Sequence, residues 1–205
     1  NGGRNVYLFR NGVDVKRFAM PNSTYGGGRI KIVYAGLLGV AQGVLDIAKN
    51  IDFREIGAEF HIYGEGSEKE TLEKYISENP DRNIYLHKIV TREEIPDLLQ
   101  GFYCTIIPLI KNIYGAVPSK IYEAMAAGVP VLYSGTGEGA RIIESNNVGL
   151  VSPPKDFELL KINILKLKKS TVLRNEMSLR ARKLAEDKFD RNLLIEDFSE
   201  KLTSI

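Results

Sequence analysis

Short runs of β-branched and aromatic residues alternate along this chain with stretches in which apolar residues recur every three or four positions. The runs predict six strands, at residues 29–35, 59–63, 83–87, 103–107, 130–133 and 149–151. The stretches between them predict helices, around residues 44–50, 67–77, 91–100, 118–127 and 138–145. Because parallel neighbours need long crossovers, the alternation predicts an α/β fold with a doubly wound, mostly parallel sheet of about six strands.

The pattern changes after residues 153–154, where two prolines precede three expected C-terminal helices with polar faces. In the first of these helices Phe157, Leu160, Ile164 and Leu167 recur at helical spacing. Residues 155–191 hold eleven Lys and Arg against six Asp and Glu. A solvated basic face is the simpler interpretation, and peripheral contact with an anionic membrane surface is the alternative.

The start of the chain is rich in glycine and lacks the alternation seen later. Residues 1–28 contain the stretch YGGG at 25–28 and do not resemble a signal peptide. We therefore expect an interdomain connector over 1–28 and a single domain over 29–205. On this interpretation the chain is the C-terminal part of a longer protein.

Composition narrows the class of protein. Of 205 residues, 43% are hydrophobic and 26% charged, which is typical of a soluble globular chain. The net charge of +2 gives no case for nucleic-acid binding. The single cysteine, Cys104, excludes an internal disulfide and lies in an apolar run, so we expect a buried, inert thiol and a cytoplasmic location, with the inner membrane face as the alternative.

Two glycine-rich turns follow predicted strands, which is where ligands bind in an open parallel sheet. The first turn, residues 36–43, contains Gly36, Gly39, Gln42 and Gly43. Glycines allow a backbone to approach a phosphate, but the spacing matches neither a dinucleotide fingerprint nor a Walker loop, and an ordinary tight turn also uses glycine. The second turn starts at Gly64, and an ordinary capped turn, with Ser67 and Glu70 forming a capping box, is the simpler explanation of it.

A third segment combines polar residues with a small apolar helix. Pro118 suits a first helical turn, and Ser119, Lys120 and Glu123 fall on one face. Glu123 precedes five residues without a polar side chain, so its carboxylate needs a partner. That partner is either Lys120, one turn back, or a pair of hydroxyls on a bound ribose.

The segment EAMAAGVPV at residues 123–131 resembles the central motif of retaining glycosyltransferases with the two-domain GT-B fold, and more narrowly family 4. Four further segments resemble that family in the same order along the chain. They are residues 11–14 (NGVD), 63–66 (YGEG), 91–96 (TREEIP) and 149–154 (GLVSPP). The resemblance thus covers essentially the whole chain and implies the Rossmann-like, donor-binding half of a GT-B fold.

The resemblance implies a glycosyltransferase that binds a nucleotide-sugar donor, by family habit a UDP-sugar, with neither metal nor cofactor. Glu123 would hold the ribose hydroxyls, Pro118, Ser119 and Lys120 the phosphates, and Ile89 would lie beside the base. The loop from Gly36 to Gly43 would lie near the diphosphate. A polysaccharide or glycolipid acceptor would bind a missing N-terminal domain, so the chain alone would bind donor and transfer sugar poorly.

Two departures from the family pattern concern charge. The first glutamate of the family's Glu-x7-Glu pattern falls on Gly115, and the usual Arg and Lys of the first loop are Leu37 and Gln42. We hypothesise that Lys120, at a helix N-terminus, supplies part of the missing positive charge and so takes a catalytic role.

Other functions remain open at this point. A nucleotide-sugar epimerase of the same build would need a catalytic carboxylate and histidine, yet His61 and His87 fall inside predicted strands and are expected to be packed core groups. The missing basic residues favour a non-catalytic nucleotide-binding module instead. A Rossmann oxidoreductase is the weakest alternative, since no strand is followed by its fingerprint.

Overall fold

A sheet of six parallel strands forms the centre of the fold in the computed structural model, which describes residues 10–20, 29–110 and 117–203. The strands are β1 Ile30–Leu37, β2 Ala58–Glu65, β3 Ile84–His87, β4 Cys104–Pro108, β5 Val131–Ser134 and β6 Gly149–Ser152. The helices are α1 Val44–Asn50, α2 Lys69–Glu78, α3 Ile95–Gln100, α4 Ser119–Ala126, α5 Glu138–Asn146, α6 Phe157–Lys169, α7 Thr171–Leu184 and α8 Arg191–Thr203.

The strand order is β3-β2-β1-β4-β5-β6, and every pairing is parallel. The predicted doubly wound α/β fold is therefore confirmed, with strand limits within two residues of those expected. The order reverses between β1 and β4, where Ile32 lies opposite Cys104. That reversal is the position at which this class of sheet binds its ligands.

Helices cover both faces of the sheet, which explains why most of the strands are apolar throughout. On one face Ile32, Phe60 and Ile106 pack against α1, α2 and α6. On the other face Val33 and Ile107 pack against α3, α4 and α5. Cys104 is fully buried, as expected.

The C-terminal helices α6 to α8 are present as predicted, with a π-helical turn, Ala185–Phe189, between α7 and α8. The connector packs against them: Val13 forms an isolated β-bridge with Asp190, and Val15 and Phe18 are buried in the core. Arg182 of α7 donates hydrogen bonds to the carbonyls of Phe18 and Ala126, at 2.5 and 2.7 Å. The boundary at residue 28 stays a prediction.

The basic character of these helices is only partly available to a membrane. Arg174 is buried, and Lys168 Nζ donates to the carbonyl of Ile56 at 2.8 Å. In the ranges that the structure describes, no helix is long and apolar enough to span a membrane. Peripheral contact with a membrane stays a prediction.

One local prediction is wrong. Ser67 and Glu70 do not form a capping box, because α2 begins at Lys69 after Glu68 and no side chain caps it. The N–H of Glu68 instead donates to the carbonyl of Leu38 at 3.0 Å, so the neighbouring loop fixes this turn. Thr91 and Glu94, which have the same capping-box spacing, form half of such a box, since the N–H of Thr91 donates to the Glu94 carboxylate at 2.7 Å.

Candidate functional site

A cavity of about 250 Å³ lies at the carboxyl ends of β1 and β2 beside the start of α4. We call it the α4 cavity. Five predicted site residues line it, namely Gly36, Ile89, Ser119, Lys120 and Glu123. Ala35, Tyr63, Val90, Arg92 and Ile95 complete the lining. Predicted residues from three separate segments therefore converge where the strand order reverses.

Helix α4 packs its small, apolar face against the sheet, and its polar residues therefore face the cavity. Pro118 precedes the helix with φ −56°, which suits a helix start. Ala124 and Ala127 are fully buried, so the helix sits close to the sheet. Glu123 is half-buried, and within the described residues its carboxylate has neither an ion pair nor a hydrogen bond. Of the two expected partners for Glu123, Lys120 does not fill that role.

Lys120 reaches across the cavity floor toward the sheet. Its ammonium lies 5.8 Å from the centroid of the Tyr34 ring, and its terminal atoms fill the space beside Gly36. Burial lowers the pKa of Lys120, and the nearby Glu123 carboxylate opposes that shift. Since no carboxylate pairs with Lys120 in the described ranges, the site holds a cation able to interact with an anionic ligand.

The loop after β1 forms a tight turn in which some backbone N–H groups already donate hydrogen bonds within the loop. The N–H groups of Gln42 and Gly43 both donate to the carbonyl of Gly39, at 3.0 and 3.3 Å. Gly43 has φ +66°, a left-handed conformation that favours glycine. A phosphate would therefore have to meet other N–H groups of this loop, and the roles of Gly39, Gln42 and Gly43 in binding stay predictions.

Gly64 has a clear packing role. A Cβ on Gly64 would collide with the carbonyl oxygen of Gly36, so the two backbones can approach only because residue 64 is glycine. This contact fixes the position of the loop after β1 relative to the loop after β2. Contact between Gly64 and a ligand stays a prediction.

Sequence reasoning missed Tyr63 and Arg92, although each lies within three residues of a predicted site residue. The Tyr63 ring stacks on His87 with centroids 4.3 Å apart, and it borders the cavity. Arg92 is exposed, and its carbonyl accepts a hydrogen bond from Arg17 Nη2 at 3.2 Å. The position of Gly115, where the family's first glutamate is expected, lies outside the described residues.

The two histidines, on the neighbouring strands β2 and β3, are half-buried rather than packed in the core. His61 Nδ1 lies 2.9 Å from His87 Nε2, and His61 Nε2 lies 3.3 Å from Glu59 Oε2. Burial lowers the pKa of both histidines, while the Glu59 carboxylate partly offsets this for His61. No group of three or more His, Cys, Asp or Glu able to hold a metal ion occurs in the described part of the chain.

A sequence model of the family described as "Glycosyl transferases group 1" matches residues 17–184. The chain belongs to this family. A curated relative, the poly(ribitol-phosphate) alpha-N-acetylglucosaminyltransferase of Staphylococcus aureus, is 26% identical over 155 residues, which cover 75% of this chain and 30% of the relative. This glycosyltransferase-family chain therefore spans less than a third of that relative's length.

Solved glycosyltransferase structures share the fold of this group 1 chain. A variant of S. aureus TarM, in complex with fondaparinux, alpha-GlcNAc-glycerol and UDP, matches with a TM-score of 0.76 and 23% identity, over 98% of this chain and 40% of that one. Anabaena HepE, in complex with UDP and glucose, matches with a TM-score of 0.81 and 16% identity, over 97% and 57%. At these identities the likeness shows the fold, a Rossmann-like half of the GT-B type.

Proposed function

We propose that this chain is the donor-binding half of a retaining, metal-independent glycosyltransferase that transfers sugar from a UDP-sugar to a polysaccharide or glycolipid. One observation carries the proposal. The Glu123 carboxylate and the Lys120 ammonium border the same cavity at the reversal of strand order, and in the ranges described neither is part of an ion pair.

A ribose is the ligand that best completes Glu123. The carboxylate is half-buried, accepts hydrogen bonds only, and finds no donor among the described side chains. Two adjacent hydroxyls can donate to its two oxygens at once, and hydrogen bonds to a charged group are stronger than those between neutral groups. The ribose of a nucleotide offers such a pair of hydroxyls.

The diphosphate would lie against Lys120, Ser119 and the N-terminus of α4. The free N–H groups of a helix N-terminus favour an anion, and Lys120 adds a full positive charge. During transfer the C–O bond to the leaving diphosphate breaks and negative charge grows on that group. A half-buried ammonium already in place would stabilise this charge, which gives Lys120 its proposed catalytic role.

The base would lie between Ile89 and Tyr63 at the far end of the α4 cavity. Ile89 is 58% exposed and Tyr63 is half-buried, so both offer apolar surface to a planar ring. UDP is the proposed nucleotide because the TarM and HepE structures are both complexes with UDP. The acceptor would bind a domain beyond this chain, since the chain covers only part of these relatives.

Isothermal titration calorimetry with UDP and GDP tests the proposal. We expect UDP to bind the chain and E123Q to weaken that binding at least about tenfold, because two charge-assisted hydrogen bonds are lost. The matched control is E144Q, which removes the same charge from an exposed position on α5. Equal binding of UDP by E123Q and the unaltered chain would refute the role of Glu123.

Two further measurements separate this proposal from its alternatives. Addition of EDTA should leave UDP affinity unchanged, whereas a metal-dependent site would lose it. Incubation of the longer protein with UDP-sugar and acceptor should give glycosylated product. An epimerase would instead convert the UDP-sugar without acceptor, and a non-catalytic module would leave it intact.

A further inference from the structure

A second cavity of about 330 Å³ adjoins the α4 cavity and is lined partly by the same residues. Arg92, Ser119 and Glu123 border both cavities. The opposite wall comes from the connector and the first residue of α8, and it carries Arg17 and Arg191. We call this second space the arginine cavity.

The lining of the arginine cavity carries more positive than negative charge. None of Arg17, Arg92 and Arg191 forms an ion pair in the ranges that the structure describes. Two acidic residues, Asp14 and Glu123, also line the space, which leaves an excess of one positive charge. Arginines that line one space without carboxylate partners can attract an anionic ligand.

Two of the three guanidinium groups are held in place by backbone carbonyls. Arg17 Nη2 donates to the carbonyl of Arg92 at 3.2 Å, and Arg191 Nη2 donates to that of Gly12 at 3.4 Å. Each of these arginines keeps further N–H donors for a ligand. Because the side chains are already oriented, binding would cost little additional side-chain entropy.

The wall that carries Arg191 is itself fixed by the backbone. The N–H of Val13 donates to the carbonyl of Phe189, and the N–H of Arg191 donates to the carbonyl of Val13, both at 2.9 Å. Val13 is buried beneath this contact. The cavity is therefore built by two segments, far apart in the sequence, that these hydrogen bonds hold together, and such rigidity favours binding.

We propose that the arginine cavity binds a phosphate group. Guanidinium groups complement phosphate oxygens in charge and in geometry, and three arginines line this cavity together with Ser119. The phosphate comes either from the donor's own diphosphate or from a second, phosphorylated molecule bound next to the donor. Both sources rest on the proposed function, because each assumes a nucleotide donor in the α4 cavity, whereas the binding of phosphate itself does not.

Calorimetric titration of the chain with pyrophosphate tests the site. Separate variants R17Q, R92Q and R191Q should each weaken pyrophosphate binding about tenfold, since each removes a charged donor. The matched control is K16Q, which removes the same charge from the same turn. Adjacent residues of a 3-10 turn point about 120° apart, so Lys16 faces away from Arg17. Thermal unfolding of each variant checks that the fold is retained.

A repeat titration in saturating UDP identifies the source of the phosphate. If pyrophosphate still binds and R191Q still weakens it, the cavity accepts a second, phosphorylated ligand. If UDP excludes pyrophosphate, and R191Q weakens UDP but not uridine, the donor's diphosphate occupies the cavity.

Pyrophosphate binding that is equally strong in folded R17Q, R92Q and R191Q, or equally weakened in K16Q, would overturn the site. The proposed function is refuted separately if the chain binds pyrophosphate but does not bind UDP.

Discussion

The terminal atoms of Lys120 occupy the space in which a side chain on Gly36 would have to lie. Gly36 has φ +148°, a backbone conformation that L-residues with a Cβ rarely adopt. Gly36 therefore has two roles: it allows the turn at the end of β1, and it leaves room for the Lys120 ammonium. This relationship joins the first glycine loop to the start of α4 in one site.

Replacement of Gly36 by alanine should damage both stability and binding. We expect G36A to lower the free energy of unfolding by about 1–3 kcal/mol, because alanine is strained at this φ, and to displace Lys120. Urea unfolding and UDP titration measure the two effects. The control is G101A, where φ is −78° and a Cβ meets ordinary contacts, so stability should change by less than about 1 kcal/mol. A G36A protein as stable as G101A would contradict the interpretation.

Lys120 should matter for binding and not for folding. Burial lowers its pKa, so the charged form is less favourable in the folded protein than in water. We expect K120M to leave the free energy of unfolding unchanged or higher while weakening UDP about tenfold and leaving uridine unaffected. The control is K74M on the exposed surface of α2. Unaltered UDP affinity in K120M would end the hypothesis that this lysine replaces the missing basic residues.

The histidine pair should make stability fall in mild acid. Both pKa values are lowered by burial, so below the ordinary value of 6.5 the unfolded chain binds protons more readily than the folded one. Stability from this pair is complete above about pH 6.5 and decreases as the pH falls toward the lowered pKa values. His61 also faces the Glu59 carboxylate and the Lys31 ammonium, which act in opposite directions.

Urea unfolding at pH 7.5 and pH 5.5 measures this dependence. The unaltered chain should lose stability between the two pH values, and the double variant H61Q/H87Q should lose measurably less. Each histidine can contribute at most about 1.4 kcal/mol per pH unit. An identical loss in both proteins would show that other groups are responsible.

Cys104 should be unreactive until the protein unfolds. It is fully buried, and burial raises the pKa of its thiol to about 12, so little thiolate forms near neutral pH. With a thiol-reactive disulfide reagent at pH 8, we expect reaction on the order of 100-fold slower or more in the folded chain than in urea. Comparable rates would mean that β4 is exposed in solution.

The strands were predictable because their signal is local. Runs such as residues 30–34 are β-branched and aromatic on both faces, which is the pattern of a buried parallel strand. The absence of a cap at Ser67 could not be predicted in the same way. A hydrogen bond from Glu68 to Leu38, thirty positions away, fixes that turn, and no local pattern shows it.

The same distinction applies to the site. The sequence predicts that Ser119, Lys120 and Glu123 belong to one site because they share one short helix with an apolar face. It does not predict this for Arg17 and Arg191, since the arginine cavity forms only when two segments far apart in the sequence meet. Residues that act together through tertiary contact carry no common signal in the sequence.

The pairing of β1 with β4 determines when the site can form. Thr105 Oγ1 donates to the carbonyl of Val33 across these strands, 72 positions apart, whereas β1 and β2 are joined by a short crossover. Closing the longer loop costs more entropy, so we expect β1 to β3 to form first and the binding edge to appear late in folding. Pulse-labelling hydrogen exchange would then show protection of β4 amides after those of β2. A folding intermediate that precedes this step would contain half of the sheet but no binding site for a ligand.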